Sequence, residues 1–294
     1  MKLAFAVTLT TVLVTAQGVS AQTLYGSQYM GPSSPAILYL ISPATGASTP
    51  VGPIGEATVS AIAFAPDGVT LYGNGAIGNK FSLVKINTSN GASTKIGDTG
   101  IGIPFQDMSF RPSDGTLFAY GGGYIFTVNL TTGVAAPVGY TGKFPLGNAL
   151  AFSAGGTLYN ANEKTLDIIN QSDGSVTSSI PLDYTAFGPL GSSRANAMKF
   201  HPNGTLYASI ATGFPAIATT LGTINTTTGV VTPIGLMVLG VDGLAIGTSS
   251  SLGTTPVPSS WMLAAIGMMI ALLYGFIRRR RSSALHAHSR QYYR

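Results

Sequence analysis

Ala61-Ile62-Ala63-Phe64-Ala65-Pro66-Asp67-Gly68-Val69-Thr70-Leu71-Tyr72 is the stretch on which the fold turns. A short apolar run ends in an aromatic, a Pro-Asp-Gly turn follows, and a second apolar run opens on Leu-Tyr. Both runs are too short for helices, and proline and glycine favour a tight reversal between them, so the stretch predicts two antiparallel strands. The phrase returns along the chain. Its first run recurs as Ala61–Phe64, Asp107–Phe110, Ala149–Phe152, Ala197–Phe200 and Gly243–Ile246. Its second run recurs as Leu24-Tyr25, Leu71-Tyr72, Leu117-Phe118, Leu158-Tyr159 and Leu206-Tyr207, with successive leucines 47, 46, 41 and 48 residues apart.

Two further runs complete each unit. One ends in Ile41-Ser42, Ile86-Asn87, Val128-Asn129, Ile169-Asn170 and Ile224-Asn225; a turn pair follows at Thr45-Gly46, Asn90-Gly91, Thr132-Gly133, Asp173-Gly174 and Thr228-Gly229. Glycine there supplies the positive φ of a tight hairpin. The next run ends in Val51-Gly52, Ile96-Gly97, Val138-Gly139 and Ile234-Gly235, and the fourth repeat departs with Ser179-Ile180-Pro181. Four short strands about every 45 residues are the mark of a β-propeller blade. The expected fold is all-β, a five-bladed β-propeller over residues 22–247. The body begins without an inner strand and ends on an unaccompanied one, Gly243–Ile246, so the last strand is expected to close the first blade and clasp the ring. A solenoid would need polar caps, and none is seen. The Ala-Phe-x-Pro-Asp-Gly-x-Leu-Tyr phrase resembles NHL-like and related propellers, a resemblance that carries fold and no function.

Composition agrees once the two ends are set aside. The net charge of +5 is misleading, because seven of the fifteen basic residues are Lys2, Arg278–Arg281, Arg290 and Arg294. All ten acidic residues lie between Gln22 and Ser260, where eight basic residues leave a net charge of −2. That body has no electrostatic footprint for nucleic acid. With no cysteine, it must stand on its core alone.

The ends read as an address. Lys2, the apolar run Leu3–Val14 and the small residues Val19-Ser20-Ala21 form an expected signal peptide over residues 1–21, cleaved before Gln22. Residues 248–260 are rich in Ser, Thr, Gly and Pro and read as a flexible stalk. Trp261–Ile277 carries no charge and, at ~1.5 Å per residue, predicts a short transmembrane helix. Arg278, Arg279, Arg280 and Arg281 then open a basic tail, 278–294, that the positive-inside rule places in the cytoplasm, with everything before Trp261 outside. Pro256, Val257, Pro258, Ser259 and Ser260, then Trp261 and the arginines, resemble the PEP-CTERM sorting signal. The resemblance implies an exported cell-surface protein of a Gram-negative, exopolysaccharide-producing bacterium, with a membrane-embedded exosortase as processing partner. Val257 stands where that family has Glu, and thirteen residues follow the arginines where the family stops sooner. An ordinary single-span anchor is the alternative. The closing arginines speak against a GPI signal, whose tail should be apolar to the end.

The candidate chemistry lies in the repeats. Four residues before the inner-run aromatic, or its equivalent Ile246, stands a polar column: Ser60, Gln106, Asn148, Asn196 and Asp242. Superposed repeats would ring one mouth of the central channel with these side chains. Such a ring suits a sugar, a small polar ligand or a cation such as calcium; alternatively each side chain satisfies backbone groups at its strand start. Asp107 and Lys199 break the symmetry of columns otherwise holding small residues. A charge there must be wet or paired, so the two are expected either to touch a ligand at the mouth or to pair locally. His201 sits in a turn without a partner in sequence. The repeated aromatics Tyr25, Tyr72, Phe118, Tyr159 and Tyr207 point to blade-to-blade packing rather than sugar stacking. Asn87-Thr88-Ser89 and Asn225-Thr226-Thr227 match glycosylation acceptors, discounted in a bacterial protein.

No nucleophile elbow, zinc-protease motif, cysteine nucleophile or dinucleotide loop is present. The expectation is a non-enzymatic surface or matrix protein with no cofactor, binding exopolysaccharide or another envelope component. The competing reading is a calcium-dependent, lactonase-like hydrolase whose metal would draw on Glu56, Asp107, Asn148, Asn196 and Asp242.

Overall fold

The computed structural model describes residues 22–29, 35–55, 59–143, 146–188 and 193–248. The expected signal peptide, the stalk beyond Thr248, the 261–277 span and Arg278–Arg281 lie outside the described residues, as does Glu56. The chain divides into two compact units, 1–250 and 251–294, and every described residue belongs to the first. Among the described residues no helix is long and apolar enough to cross a membrane.

Twenty strands follow in order: β1 (Gln22–Gln28), β2 (Ile37–Ile41) and β3 (Ser48–Pro53); β4 (Val59–Phe64), β5 (Leu71–Ile77), β6 (Lys80–Ile86) and β7 (Ser93–Asp98); β8 (Asp107–Phe110), β9 (Leu117–Gly121), β10 (Tyr124–Val128) and β11 (Ala135–Tyr140). Then come β12 (Ala149–Phe152), β13 (Leu158–Ala161), β14 (Thr165–Ile169) and β15 (Val176–Pro181); β16 (Ser193–Phe200), β17 (Leu206–Thr212), β18 (Ala218–Ile224) and β19 (Val231–Leu236); and last β20 (Val241–Thr248). They form five four-stranded antiparallel sheets. The first sheet runs β20-β1-β2-β3, so the last strand does complete the first blade. Leu24 lies opposite Ile246 and Ser27 opposite Gly243 across that seam. Strands β20, β4, β8, β12 and β16 are neighbours in a closed ring around the channel. Thr248 belongs to the clasp rather than to the stalk: its backbone N–H donates to the Gly68 carbonyl at 2.8 Å.

The repeated aromatics pack each blade on the next. Tyr25 meets Phe64 with ring centroids 5.4 Å apart, Tyr72 meets Phe110 at 5.7 Å, Phe118 meets Phe152 at 5.2 Å, and Tyr159 meets Phe200 at 5.6 Å. At the closing seam Tyr207 packs in one cluster with Ile246, the residue that replaces Phe. Each pair buries two rings in tilted or edge-on contact, the geometry aromatic quadrupoles favour.

Glycine sets the spacing at the rim. Gly91 has φ +80°, and a Cβ there would stand 2.5 Å from the Gly52 carbonyl oxygen. The same contact joins Gly133 to Gly97, Gly174 to Gly139 and Gly46 to Gly235. Each hairpin turn of one blade therefore lies backbone-to-backbone against the outer strand of its neighbour, where no side chain fits. The preceding Val51, Ile96, Val138 and Ile234 sit at the register shifts that bend each outer strand. Pro50, Lys95, Pro137 and Pro233 occupy these outermost strands, and proline or lysine on an exposed edge opposes pairing with another chain.

The fourth blade departs where its sequence does. Pro181 ends β15, and the chain continues across the seam to blade five. Asp183 N–H donates to Gly229 O at 3.0 Å and Val231 N–H to Asp183 O at 3.0 Å, a single parallel bridge. A 3-10 turn, Thr185–Phe187, then brings Phe187 and Tyr184 onto the blade-five cluster.

Gly91→Ala is expected to destabilise the propeller by roughly 3 kcal/mol or more, combining left-handed backbone strain with the clash. Gly78→Ala, at φ +61° with open space around it, is expected to cost only about 1–2 kcal/mol from the strain. Urea unfolding midpoints of the two variants check the difference; equal costs would show that the inter-blade contact contributes nothing.

Candidate functional site

The polar column does gather at one end of the channel. Ser60, Gln106, Asn148, Asn196 and Asp242 line a single cavity of about 330 Å³, together with Leu146, Gly147 and Arg194. Local backbone geometry aims them. Ser60, Asn196 and Asp242 are each the extra residue of a β-bulge: Val59 and Ala61 pair with Gly75 and Asn74, Ala195 and Ala197 with Ile210 and Ser209, and Val241 and Gly243 with Gln28 and Ser27. A bulge leaves one residue unpaired and turns its side chain out of the pleat. Gln106 and Asn148 reach the same mouth from just before β8 and β12, held by backbone bonds from Gln106 N–H to Tyr120 O (2.7 Å) and from Asn148 N–H to Ala195 O (3.0 Å).

The lining side chains differ in their partners. Ser60 Oγ donates to Phe105 O at 2.8 Å, and Asn196 Nδ2 donates to Asp242 Oδ1 at 2.6 Å. Across the mouth, Gln106 Oε1 and Asn148 Oδ1 are buried with no hydrogen-bond partner among the described residues; Asn148 is only 7% exposed. Arg194 is also buried. Its Nη1 donates to Gly213 O at 2.7 Å, and its guanidinium lies 5.6 Å from the ring of Phe214, which is 74% exposed. Burial pushes the Asp242 carboxyl up to about 6, against the pull of Asn196 and Arg194.

Asp107 and Lys199 are not at this mouth. They pair with each other deeper in the channel, Lys199 Nζ to Asp107 Oδ1 at 2.7 Å. Asp107 Oδ2 accepts Leu150 N–H at 2.7 Å and Met198 N–H at 3.2 Å, and its Oδ1 accepts Met108 N–H at 2.8 Å. Lys199 Nζ also donates to Leu150 O at 3.1 Å and Met198 O at 2.8 Å. All three ammonium hydrogens are used, and the pair ties the inner strands of blades three, four and five. Burial drives both groups toward neutrality, Asp107 up to about 6 and Lys199 down. Below the pair a second, smaller cavity of about 140 Å³ opens among Phe64, Phe110, Phe152, Phe200 and Ile246, with Lys199 at its floor. The ion pair lies between the two cavities, so the channel is plugged.

Calcium does not suit the upper mouth. It takes six to eight oxygen ligands, and among the described residues the mouth has a single carboxylate, which accepts from an Asn196 amide and shares its cavity with a guanidinium. No group of three or more acidic, histidine or cysteine side chains comes together among the described residues. His201 stays in its turn, accepting Asn203 N–H at 3.2 Å and meeting Tyr207 edge-on. Asn87 and Asn225 cap their turns through backbone N–H groups two residues on, both at 2.9 Å. Arg194 and Leu146 belong to no repeated column, and the sequence carries no signal that would place them at the mouth.

No protein-family model matches this chain, and no curated protein matches it. Among solved structures, the fold is similar to a chain of a nidogen/laminin complex, with TM-score 0.51 at 11% identity over 77% of this chain and 98% of that one. A protein of unknown function from Bacteroides caccae aligns with TM-score 0.49 at 10% identity, over 78% and 99%. A "putative 6-phosphogluconolactonase" from Bacteroides uniformis aligns with TM-score 0.42 at 16% identity, over 74% and 83%. At these identities the likeness extends to the propeller fold alone.

Two outcomes are expected. Lys199→Met strands a buried carboxylate and is expected to cost about 3–5 kcal/mol, while adding Asp107→Asn recovers at least half of the loss; urea unfolding of both variants measures the coupling, and strictly additive costs would refute it. Asp242, raised from its ordinary 3.8 to about 6, binds a proton more readily folded than unfolded. Its stabilising contribution is full below about pH 4 and is lost as pH rises through 6. Relative to the wild type, Asp242→Asn should therefore gain thermal stability between about pH 4 and 7; a pH-independent difference in melting temperature would contradict the assignment.

Proposed function

We propose that this chain is an exported, non-enzymatic binding module whose upper channel mouth is the ligand site, carried to the cell surface by a PEP-CTERM-like C-terminal signal. The observation that carries the binding reading is that one polar residue from each of the five blades, with Arg194 beside them, lines a single cavity of about 330 Å³, and a concave site with a few convergent polar groups is the form small-ligand sites take. The supports for export are in the sequence: the 1–21 leader, the 261–277 span and the closing arginines. Gln22 pairs with Thr248, so the first and last described residues stand together at the end of the closing seam away from Asp242. The hydrolase reading finds little support in a mouth whose single carboxylate is held by Asn196 and opposed by Arg194.

Intact mass of the mature protein from its native host, with both termini identified, tests the export half. A chain beginning at Gln22 and ending near Pro256–Trp261 is expected. A chain that begins at Gln22 and ends at Arg294 would replace the sorting signal with a permanent anchor, and one retaining Met1 would overturn export.

A further inference from the structure

Resting on the reading of the mouth as a binding site, we propose that its occupant is a zwitterion, a free α-amino acid whose carboxylate pairs with Arg194 and whose ammonium pairs with Asp242. Arg194 carries the argument. It is only 8% exposed, yet it forms no ion pair among the described residues. Its Nη1 is used by Gly213 O, while Nε and Nη2 have no partner among those residues and are not sealed from solvent. These two groups form one edge of the guanidinium fork, which grips a carboxylate through two parallel hydrogen bonds. A buried charge is costly unless paired, and Arg194 stands in the wall of an open cavity. A ligand anion completes it.

Asp242 supplies the complement in the same wall. Asn196 Nδ2 takes its Oδ1. Asp242 Oδ2 and Asn196 Oδ1 have no partner among the described residues and, in contrast to the side-chain oxygens of Gln106 and Asn148, are not sealed. Two acceptors on side chains joined by a hydrogen bond, one of them charged, suit an ammonium, which brings three donors and no acceptor. The Arg194 charge pulls on the Asp242 carboxyl without bonding to it, so the two stand near each other with room between. A simple anion would answer Arg194 and be repelled by Asp242; a simple cation would do the reverse; a neutral sugar would leave both charges unanswered. A molecule carrying both charges on adjacent groups answers both. At about 330 Å³ the cavity lies at the small end of ligand pockets, about 300–1,000 Å³, and suits one amino acid rather than a peptide. Leu146 in the lining gives its side chain apolar surface to pack on.

The test screens the mature protein by thermal shift against the standard amino acids. Calorimetry then compares the tightest with its N-acetyl derivative, which lacks the ammonium, with its carboxamide, which lacks the carboxylate, and with methyl glucoside as a neutral probe. The amino acid is expected to bind in a one-to-one ratio, and each blocked form about tenfold or more weaker, the loss of one charge pair. Asp242→Asn should bring the amino acid and its N-acetyl derivative to within about twofold of each other, and Arg194→Gln should do the same for the amino acid and its carboxamide. Each comparison is a ratio within one protein, so a general loss of stability cannot mimic it. Asp242→Asn, which removes a buried charge, keeps the test open if Arg194→Gln does not fold. A blocked form or methyl glucoside binding as tightly as any amino acid, and weakened by either variant, would overturn the zwitterion and leave the mouth as a binding site. Saturation by none of these probes would overturn the ligand class, and a crystal structure showing Arg194 paired with a carboxylate of its own chain would overturn the site as well.

Discussion

A ring of sheets leaves every inner strand with one edge that pairs with no other strand, and those edges face a channel too narrow for bulk water. Their N–H and C=O groups are the constraint around which this molecule is built. The Asp107–Lys199 pair answers it at the centre: one carboxylate takes the free N–H groups of Leu150 and Met198 while the ammonium takes the carbonyls of the same two residues. Ser109 Oγ does the same for Phe152 N–H at 3.0 Å. The pair is costly to bury as isolated charges, and its backbone partners offset much of that cost. Small residues at the equivalent positions of the other blades make room for it.

That plug also gives the mouth its depth. With the channel blocked below, the upper cavity becomes a closed cup whose wall is one polar residue from each blade. Three of these are turned inward by bulges, and two are placed at strand starts. Unlike the central pair, the cup is not self-satisfied all the way round. Asn196 and Asp242 bond to each other, while the side-chain oxygens of Gln106 and Asn148 are buried without a partner among the described residues. The five-fold repeat therefore builds a cup, and the departure from it, the buried Arg194 in the lining, makes the cup asymmetric.

Much of this was legible in the residues. The Leu-aromatic cue, the glycine turns and the unaccompanied Gly243–Ile246 strand foretold five blades and the clasp, because a period-two pattern punctuated by glycine and proline has few ways to bury its apolar face. The polar column was legible as a column for the same reason. What could not be read was which of its members would be satisfied. Asn196 and Asp242 are 46 residues apart and bond only because the ring brings blades five and one together. Asp107 and Lys199, read as candidates for the mouth, lie below it and pair with each other, a partnership between residues 92 positions apart that only the ring brings together. The glycine contacts at the rim were legible as turns but not as joints, because the carbonyl that excludes a Cβ belongs to a different repeat.

By itself the sequence determined the all-β class, the number and order of the blades, the closing strand and the aromatic pairs between neighbours. All of these follow from periodicity and from the short-range geometry of turns. Tertiary structure alone decided the depth of the channel, the partnership of Asp107 with Lys199, the bulges that aim the mouth residues and the bond between Asn196 and Asp242. Those features depend on distances between repeats, which are set by how five twisted sheets pack around one axis and are written in no single repeat.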